Sequence, residues 1–230
     1  MKKIILPALL AVSLLVAPAM AGTPSTEKAP VSSRKAADKT FKLQTQLSTL
    51  GWVGKKVTGQ HNGNVQFKEG TVIVRGNQVV GGMFTVDMNS LKIEDIKDAE
   101  TNGKLMGHLR SDDFFSIDKN PTSTFNITKV TPMKADAAGN NATITGDLTI
   151  KGITKPISFP AKVGVKGNLA SASGTATIDR TKFDIKYGSK SFFEGIGDKA
   201  IMDDFTMSFN VIAKNEPGES ASAKPAKASK

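Results

Sequence analysis

Apolar and polar positions along much of the chain alternate with a period of two. Phe205, Met207, Phe209, Val211 and Ala213 alternate with Asp204, Thr206, Ser208 and Asn210. Ile157, Phe159, Ala161, Val163 and Val165 alternate with Ser158, Pro160, Lys162 and Gly164. Ile144, Gly146, Leu148 and Ile150 alternate with Thr143, Thr145, Asp147 and Thr149, and Phe84, Val86 and Met88 face away from Thr85 and Asp87. Strands of this kind bury one face and wet the other, the pattern of an antiparallel sheet. Shorter alternations fall near 41–47, 52–57, 63–67, 71–75, 125–130 and 174–180. Turn signals separate them at Gly51, Lys68-Glu69-Gly70, Gly76-Asn77, Gly81-Gly82, Ala138 to Asn141 and Gly167-Asn168. About eight one-faced strands can close as a barrel, which removes exposed edges, or stack as a sandwich. The pattern breaks over 89–120. There Lys104 to Leu109 reads as one or two helical turns, so a short helical segment near 103–115 is expected. Ser111-Asp112-Asp113 fits a helix N-cap with favourable first-turn charge better than a metal or catalytic acid pair.

The two ends of the chain read differently. Lys2 and Lys3 precede an apolar run from Ile4 to Val16, and Ala19-Met20-Ala21 gives the small-x-small pattern of a cleavage site. Residues 1–21 are therefore expected to be a signal peptide, with the mature chain beginning at Gly22 in a periplasm-like space. Residues 22–40 hold one large aliphatic residue, Val31, and 215–230 hold none. Both flanks are expected to be disordered, because neither buries enough apolar surface to offset its ordering entropy. All twelve Phe, with Trp52 and Tyr187, lie within 41–214, which reads as one domain.

Composition narrows the chemistry further. With no Cys, disulfides, thiolate metal sites and a cysteine nucleophile are excluded. One Trp and one Tyr cannot build the aromatic girdles of a membrane barrel. The formal charge is +10, but residues 41–214 hold 22 Lys/Arg against 17 Asp/Glu, without an arginine-rich stripe. That is no nucleic-acid footprint, although transient contact with an anionic membrane surface fits it. His61 and His108 are the two histidines, too few and too far apart in sequence to suggest a metal site. No G-x-S-x-G, P-loop or H-E-x-x-H motif occurs.

Two long segments carry a resemblance. His108 to Phe125 (HLRSDDFFSIDKNPTSTF) and Thr145 to Pro160 (TGDLTIKGITKPISFP) resemble the YceI-like family of bacterial periplasmic lipid-binding proteins. Trp52-Val53-Gly54-Lys55 with His61-Asn62-Gly63, Gly82-Met83-Phe84 with Val86-Asp87, and Ile178-Asp179-Arg180 to Tyr187-Gly188-Ser189 fit the same family. The resemblance implies a lipocalin-like, extended eight-stranded antiparallel barrel. It also implies a polyisoprenoid or isoprenoid-quinone-type lipid in an internal hydrophobic tunnel, with no cofactor.

A tunnel for such a chain needs apolar walls and a few polar groups at one end. Phe84, Val86, Phe125, Phe159, Phe183, Phe205 and Phe209 are wall candidates, on apolar faces read as strands. Trp52 is either wall or packing plug. Of the adjacent Phe114 and Phe115, one is expected to face the tunnel while the other anchors its loop. Phe192 and Phe193 are expected to line or cover it. Lys56, His61, His108 and Arg180 are the candidate headgroup contacts, although Asp179-Arg180 also reads as an internal ion pair. The expected function is a non-enzymatic carrier, with a homodimer compatible. The alternatives are a secreted enzyme using His61, His108 or Asp113, and an empty barrel serving as an interaction module.

Overall fold

A computed structural model describes residues 36–215. The expected signal peptide, most of the linker before Asp38 and nearly all of the C-terminal tail lie outside the described residues. Among the described residues nine strands form: β1 (Asp38–Leu43), β2 (Thr49–Lys56), β3 (Gly59–Arg75), β4 (Gln78–Ile93), β5 (Thr122–Pro132), β6 (Ala142–Ile150), β7 (Ile153–Lys166), β8 (Leu169–Asp179) and β9 (Ile201–Lys214). Each strand from β2 to β9 pairs antiparallel with the next, and β9 pairs back onto β2, so the sheet closes. β1 shares the slot of β2. It pairs with Thr71 to Arg75 of β3 and with Ala213 and Lys214 of β9. Nine segments thus fill eight positions of one closed antiparallel barrel. The break at 44–48 holds because the Ser48 hydroxyl substitutes for ladder groups, donating to the Gln44 carbonyl and accepting from the Ile212 N–H.

Several local expectations change, and Gly51, read as a turn, lies inside β2, paired on both sides. Asp38–Thr40, expected in the disordered linker, belong to β1. Lys68-Glu69-Gly70 is a bulge inside β3 rather than a turn, since both halves of β3 pair with β4. The bulge moves the inward positions from Val65 and Phe67 to Gly70, Val72 and Val74, so one strand keeps a single apolar face across a change of parity. Gly81-Gly82 likewise sits within β4. A Cβ on Gly82 would lie 2.6 Å from the Thr71 carbonyl oxygen, so glycine here permits a close strand approach.

The helix α1 spans Ala99–Arg110, starting earlier than expected and ending before 115. Its N-cap is Asp98, which accepts from the Thr101 N–H and hydroxyl. Ser111 is its C-cap, which corrects the N-cap reading of Ser111-Asp112-Asp113. The turns that follow place Phe114 and Ile117 inside. Two apolar clusters close the interior at opposite ends. One gathers Leu109, Phe114, Ile117, Phe183 and Ile185 beneath α1 and the loops that follow β4 and β8. The other gathers Phe41, Val72, Val74, Val79 and Ala213 near the β3–β4 hairpin.

Candidate binding cavity

Between the two clusters lies a cavity of about 370 Å³, walled by the inward faces of β2 to β9 and by α1. On β9 its wall runs from Ile201 to Val211. At about 3.3 Å per residue and the tilt of an eight-stranded barrel, that is about 25 Å along the axis. So small a volume over so great a length describes a narrow channel. Ile157, Phe159, Phe205 and Phe209 point inward yet are only half-buried, because their free faces look onto unfilled space.

Small residues keep that space open. The inward face of β8 is Ala170, Ala172, Gly174 and Ala176. Aromatic rings lie over glycines on neighbouring strands: a Cβ on Gly146 would meet the Phe125 ring at 2.6 Å, one on Gly174 the Phe209 ring at 3.0 Å, and one on Gly70 the Phe84 ring at 2.7 Å. The rings therefore lie along the wall instead of crossing the lumen. Phe125, Phe159 and Phe209 make a chain of ring contacts, with centroids 5.6 and 5.5 Å apart. Edge-to-face and offset pairs of this kind hold each other's orientation.

The structure puts Trp52, Phe84, Val86, Phe114, Phe115, Phe125, Phe159, Phe205 and Phe209 on the cavity wall. Trp52 is wall and anchor together, since its indole N–H donates to the Lys92 carbonyl at 3.1 Å. Phe114 and Phe115 both reach the wall, because they lie on turns where neighbours need not point to opposite sides. Phe183 does not line it. It lies on a 3₁₀ turn (Arg180–Phe183), 1% exposed, and is plain core. Phe192 and Phe193 do not line it either. They stand half-exposed on the loop before β9, where Phe192 packs under the Lys186 ammonium. Sequence reasoning missed Met88, Leu91, Leu105 and Met207, all wall residues. Met88 and Met207 alternate with polar neighbours and were legible. Leu91 was hidden by a further bulge, where the Ser90 hydroxyl donates to the Asp87 carbonyl and accepts from the Gln66 N–H.

Lys56, His61, His108 and Arg180 all border the cavity, at its α1 end. His61 Nδ1 lies 2.8 Å from Asp95 Oδ2, and Asp95 Oδ1 accepts from the Asn62 N–H. His108 packs between Phe114 and Tyr187, with ring centroids 5.5 and 4.2 Å away. Its Nε2 is occluded and makes no hydrogen bond.

Arg180 is 2% exposed, and its guanidinium donates to the carbonyls of Ile185, Ile201 and Met202. Its carboxylate neighbour is Asp203 at 3.6 Å. Asp179, the expected partner, instead caps the 3₁₀ turn by accepting from Thr181 and pairs with Lys182. Burial lowers the Arg180 pKa, opposed by the charges of Asp203 and Asp179. It ties three backbone segments together.

Burial pushes the Asp203 carboxyl up, but hydrogen bonds from Ser189 and Ser191 and the charge of Arg180 outweigh it, and the net pKa lies below the ordinary 3.8. For Asp95 the balance is the same, burial being outweighed by the Asn62 N–H and His61. A folded-state pKa below the unfolded one contributes stability that is present above the unfolded value and lost as pH falls through the folded one. The thermal midpoint should therefore be insensitive to these two groups from pH ~7 to ~5 and fall below pH ~4. Asp203→Asn should flatten part of that acid limb, which calorimetry across the range would register.

Among the described residues, no three His, Cys, Asp or Glu side chains come together as a metal site. Asp113 is exposed and stands apart from both histidines in role, one tied to Asp95 and the other packed among rings.

Comparison with known proteins agrees with the fold. The family model described as the YceI-like domain matches residues 41–213. The chain belongs to the YceI-like family. A second model, described as BRANT-like, matches residues 1–67. A UPF0312 protein of Pseudomonas paraeruginosa is 37% identical over 118 residues, covering 46% of this chain and 59% of that protein. Among solved structures, Burkholderia cenocepacia BcnA aligns over 75% of this chain and 99% of its own, at 22% identity and a TM-score of 0.53. A polyisoprenoid binding domain from Saccharophagus degradans, implicated in plant cell wall breakdown, covers 76% of this chain and 98% of its own, at 13% identity and a TM-score of 0.52. These likenesses agree with a closed YceI-like barrel.

Proposed function

We propose that this YceI-like protein is a non-enzymatic carrier or store, exported to the periplasm. In this reading it holds one polyisoprenoid or isoprenoid-quinone-type lipid in the barrel. The observation that carries this reading is the narrow cavity, whose wall between the end clusters is almost wholly apolar. A linear chain gains roughly 25 cal/mol per Å² buried there, with no need of polar partners along its length. Phe84, Phe125, Phe159 and Phe209 would form the middle of the wall, while Lys56 and His61 would face the polar end. The polyisoprenoid-binding neighbour supports the ligand class. Tyr187, Phe192, Phe193 and Met202 are each about half-exposed on the loop before β9 and at its start. They would meet the lipid surface during loading, with Lys55 and Lys56 toward anionic headgroups.

The test is native mass spectrometry of the full chain, expressed in a Gram-negative host and recovered from the periplasmic fraction. The expected result is a polypeptide beginning at Gly22 with one apolar adduct, which solvent extraction yields as a prenyl lipid. A chain retained in the cytoplasm would overturn export. A clean ligand-free mass that takes up no added prenyl lipid would overturn the carrier reading.

A further inference from the structure

Packed side chains fill the barrel on either side of the cavity, so the exposed residues on its border mark where a ligand can enter. Ile117 and Ile185 at the α1 end are fully buried, and so are Phe41 and Val74 at the other. Five residues bordering the cavity are exposed: Lys55, Lys56, Ser171, Met202 and Asp204. Four of these five flank one irregularity in the wall. Gly54 pairs with Phe205 and Lys56 with Ile201, so Lys55 alone opposes Met202, Asp203 and Asp204. A three-against-one bulge leaves the β2–β9 ladder short of hydrogen bonds at that point.

The bulge is supported from outside the ladder. Arg180 donates to the carbonyls of Ile201 and Met202. Ser191 donates to Asp203, and the Ile201 N–H reaches the Gly188 carbonyl at 2.8 Å. Beyond it the chains rejoin through the Val57 N–H and the Ala200 carbonyl. On the inner side Gly54 carries no side chain, and opposite it across the β2–β3 ladder stands His61. The seam is therefore a built discontinuity in the wall, bordered by exposed side chains that also line the cavity.

We propose that this seam between β2 and β9 is the entry portal of the barrel, taking a single-tailed amphiphile tail-first and keeping its polar end between Lys55, Lys56 and His61. The proposal rests on the lipid-holding reading above and adds the route and the orientation. Asp204 on the same rim makes a net anionic head favourable only on the lysine side. The thread-like lumen admits one tail. A two-tailed phospholipid would have to leave one chain in water, which the hydrophobic effect disfavours.

The absence of cysteine makes the test clean. Lys55→Cys is conjugated through a disulfide to a bulky polyethylene glycol. Lys104→Cys on the exposed face of α1 and Met83→Cys on the outer wall of β4 are treated alike. Entry of a polyene fatty acid is followed in stopped flow by energy transfer from Trp52, the sole tryptophan. The conjugate at 55 should slow entry at least tenfold, and dithiothreitol should restore the rate. The conjugate at 83 should stay within twofold of the unmodified protein. Unchanged entry with position 55 blocked, or slowing with the conjugate on α1 instead, would overturn the portal. Lys55→Glu with Lys56→Glu should weaken the fatty acid at least tenfold while leaving the corresponding polyene alcohol within twofold. Equal loss for both would overturn the placement of the polar end. If the unmodified protein shows no saturable uptake of either probe, the lipid-holding reading itself fails.

Discussion

Ala172→Trp should expel a long-chain lipid from the barrel while leaving the barrel folded. Ala172 sits on the inward face of β8, opposite Val211 on β9 and Val163 on β7, and is half-exposed onto the cavity. An indole placed there enters space that is already empty, so the overpacking cost that accompanies enlargement of a filled core is small. It buries no charge, unlike Phe84→Asp or Phe209→Asp, whose effects would mix lost binding with lost stability. If the indole displaces about 100 Å² of ligand contact, the loss is about 2.5 kcal/mol, or roughly 70-fold in affinity. Lipid extracted from the purified variant should fall at least tenfold, with a thermal midpoint at or above that of the delipidated parent. Lys162→Trp, on the exposed outer face of β7, should retain its lipid. Full occupancy in the Ala172→Trp variant would mean that the chain does not pass this level of the barrel.

Arg180→Met should be the most destabilising single change among the residues discussed. Removing one member of a buried, hydrogen-bonded charge arrangement typically costs about 3–5 kcal/mol. Here the loss strands the Ile185, Ile201 and Met202 carbonyls and leaves Asp203 without its cation. The companion variant Arg180→Met with Asp203→Leu separates the two contributions. If the ion pair dominates, the double change recovers most of the stability. If the carbonyl contacts dominate, as the 3.6 Å separation of the charges implies, it recovers less than half. Denaturant midpoints of the three proteins decide between these. Arg180→Lys should fall between parent and Arg180→Met, because a single ammonium cannot span three carbonyls in the guanidinium's planar fork.

Much of the barrel was legible because side-chain alternation is a local property of extended chain. Phe84, Phe125, Phe159, Phe205 and Phe209 all face inward, as their spacing implied. Where the pairing partner changes the geometry, local reading failed. Lys68-Glu69-Gly70 has the composition of a turn, yet β4 pairs across it and makes it a bulge. Phe192 and Phe193, expected to line or cover the cavity, do not line it: the Ser189 carbonyl accepts both of their N–H groups in a turn that leaves the rings half-exposed. Phe183 is core because it lies on a 3₁₀ turn, where period-two reasoning does not apply.

Consecutive residues were enough for the all-β fold class, the inward face of most strands and, through two long motifs, the family. These depend on neighbours along the chain, whose alternation and turn chemistry are written in consecutive residues. Tertiary structure alone decided that β1 and β2 share one slot, that rings lie over glycines to leave a channel, and that Arg180 holds the carbonyls beside a bulged seam. Each of these is a contact between residues far apart in sequence, set by strand register and barrel closure, and neither register nor closure leaves a periodic trace in the chain.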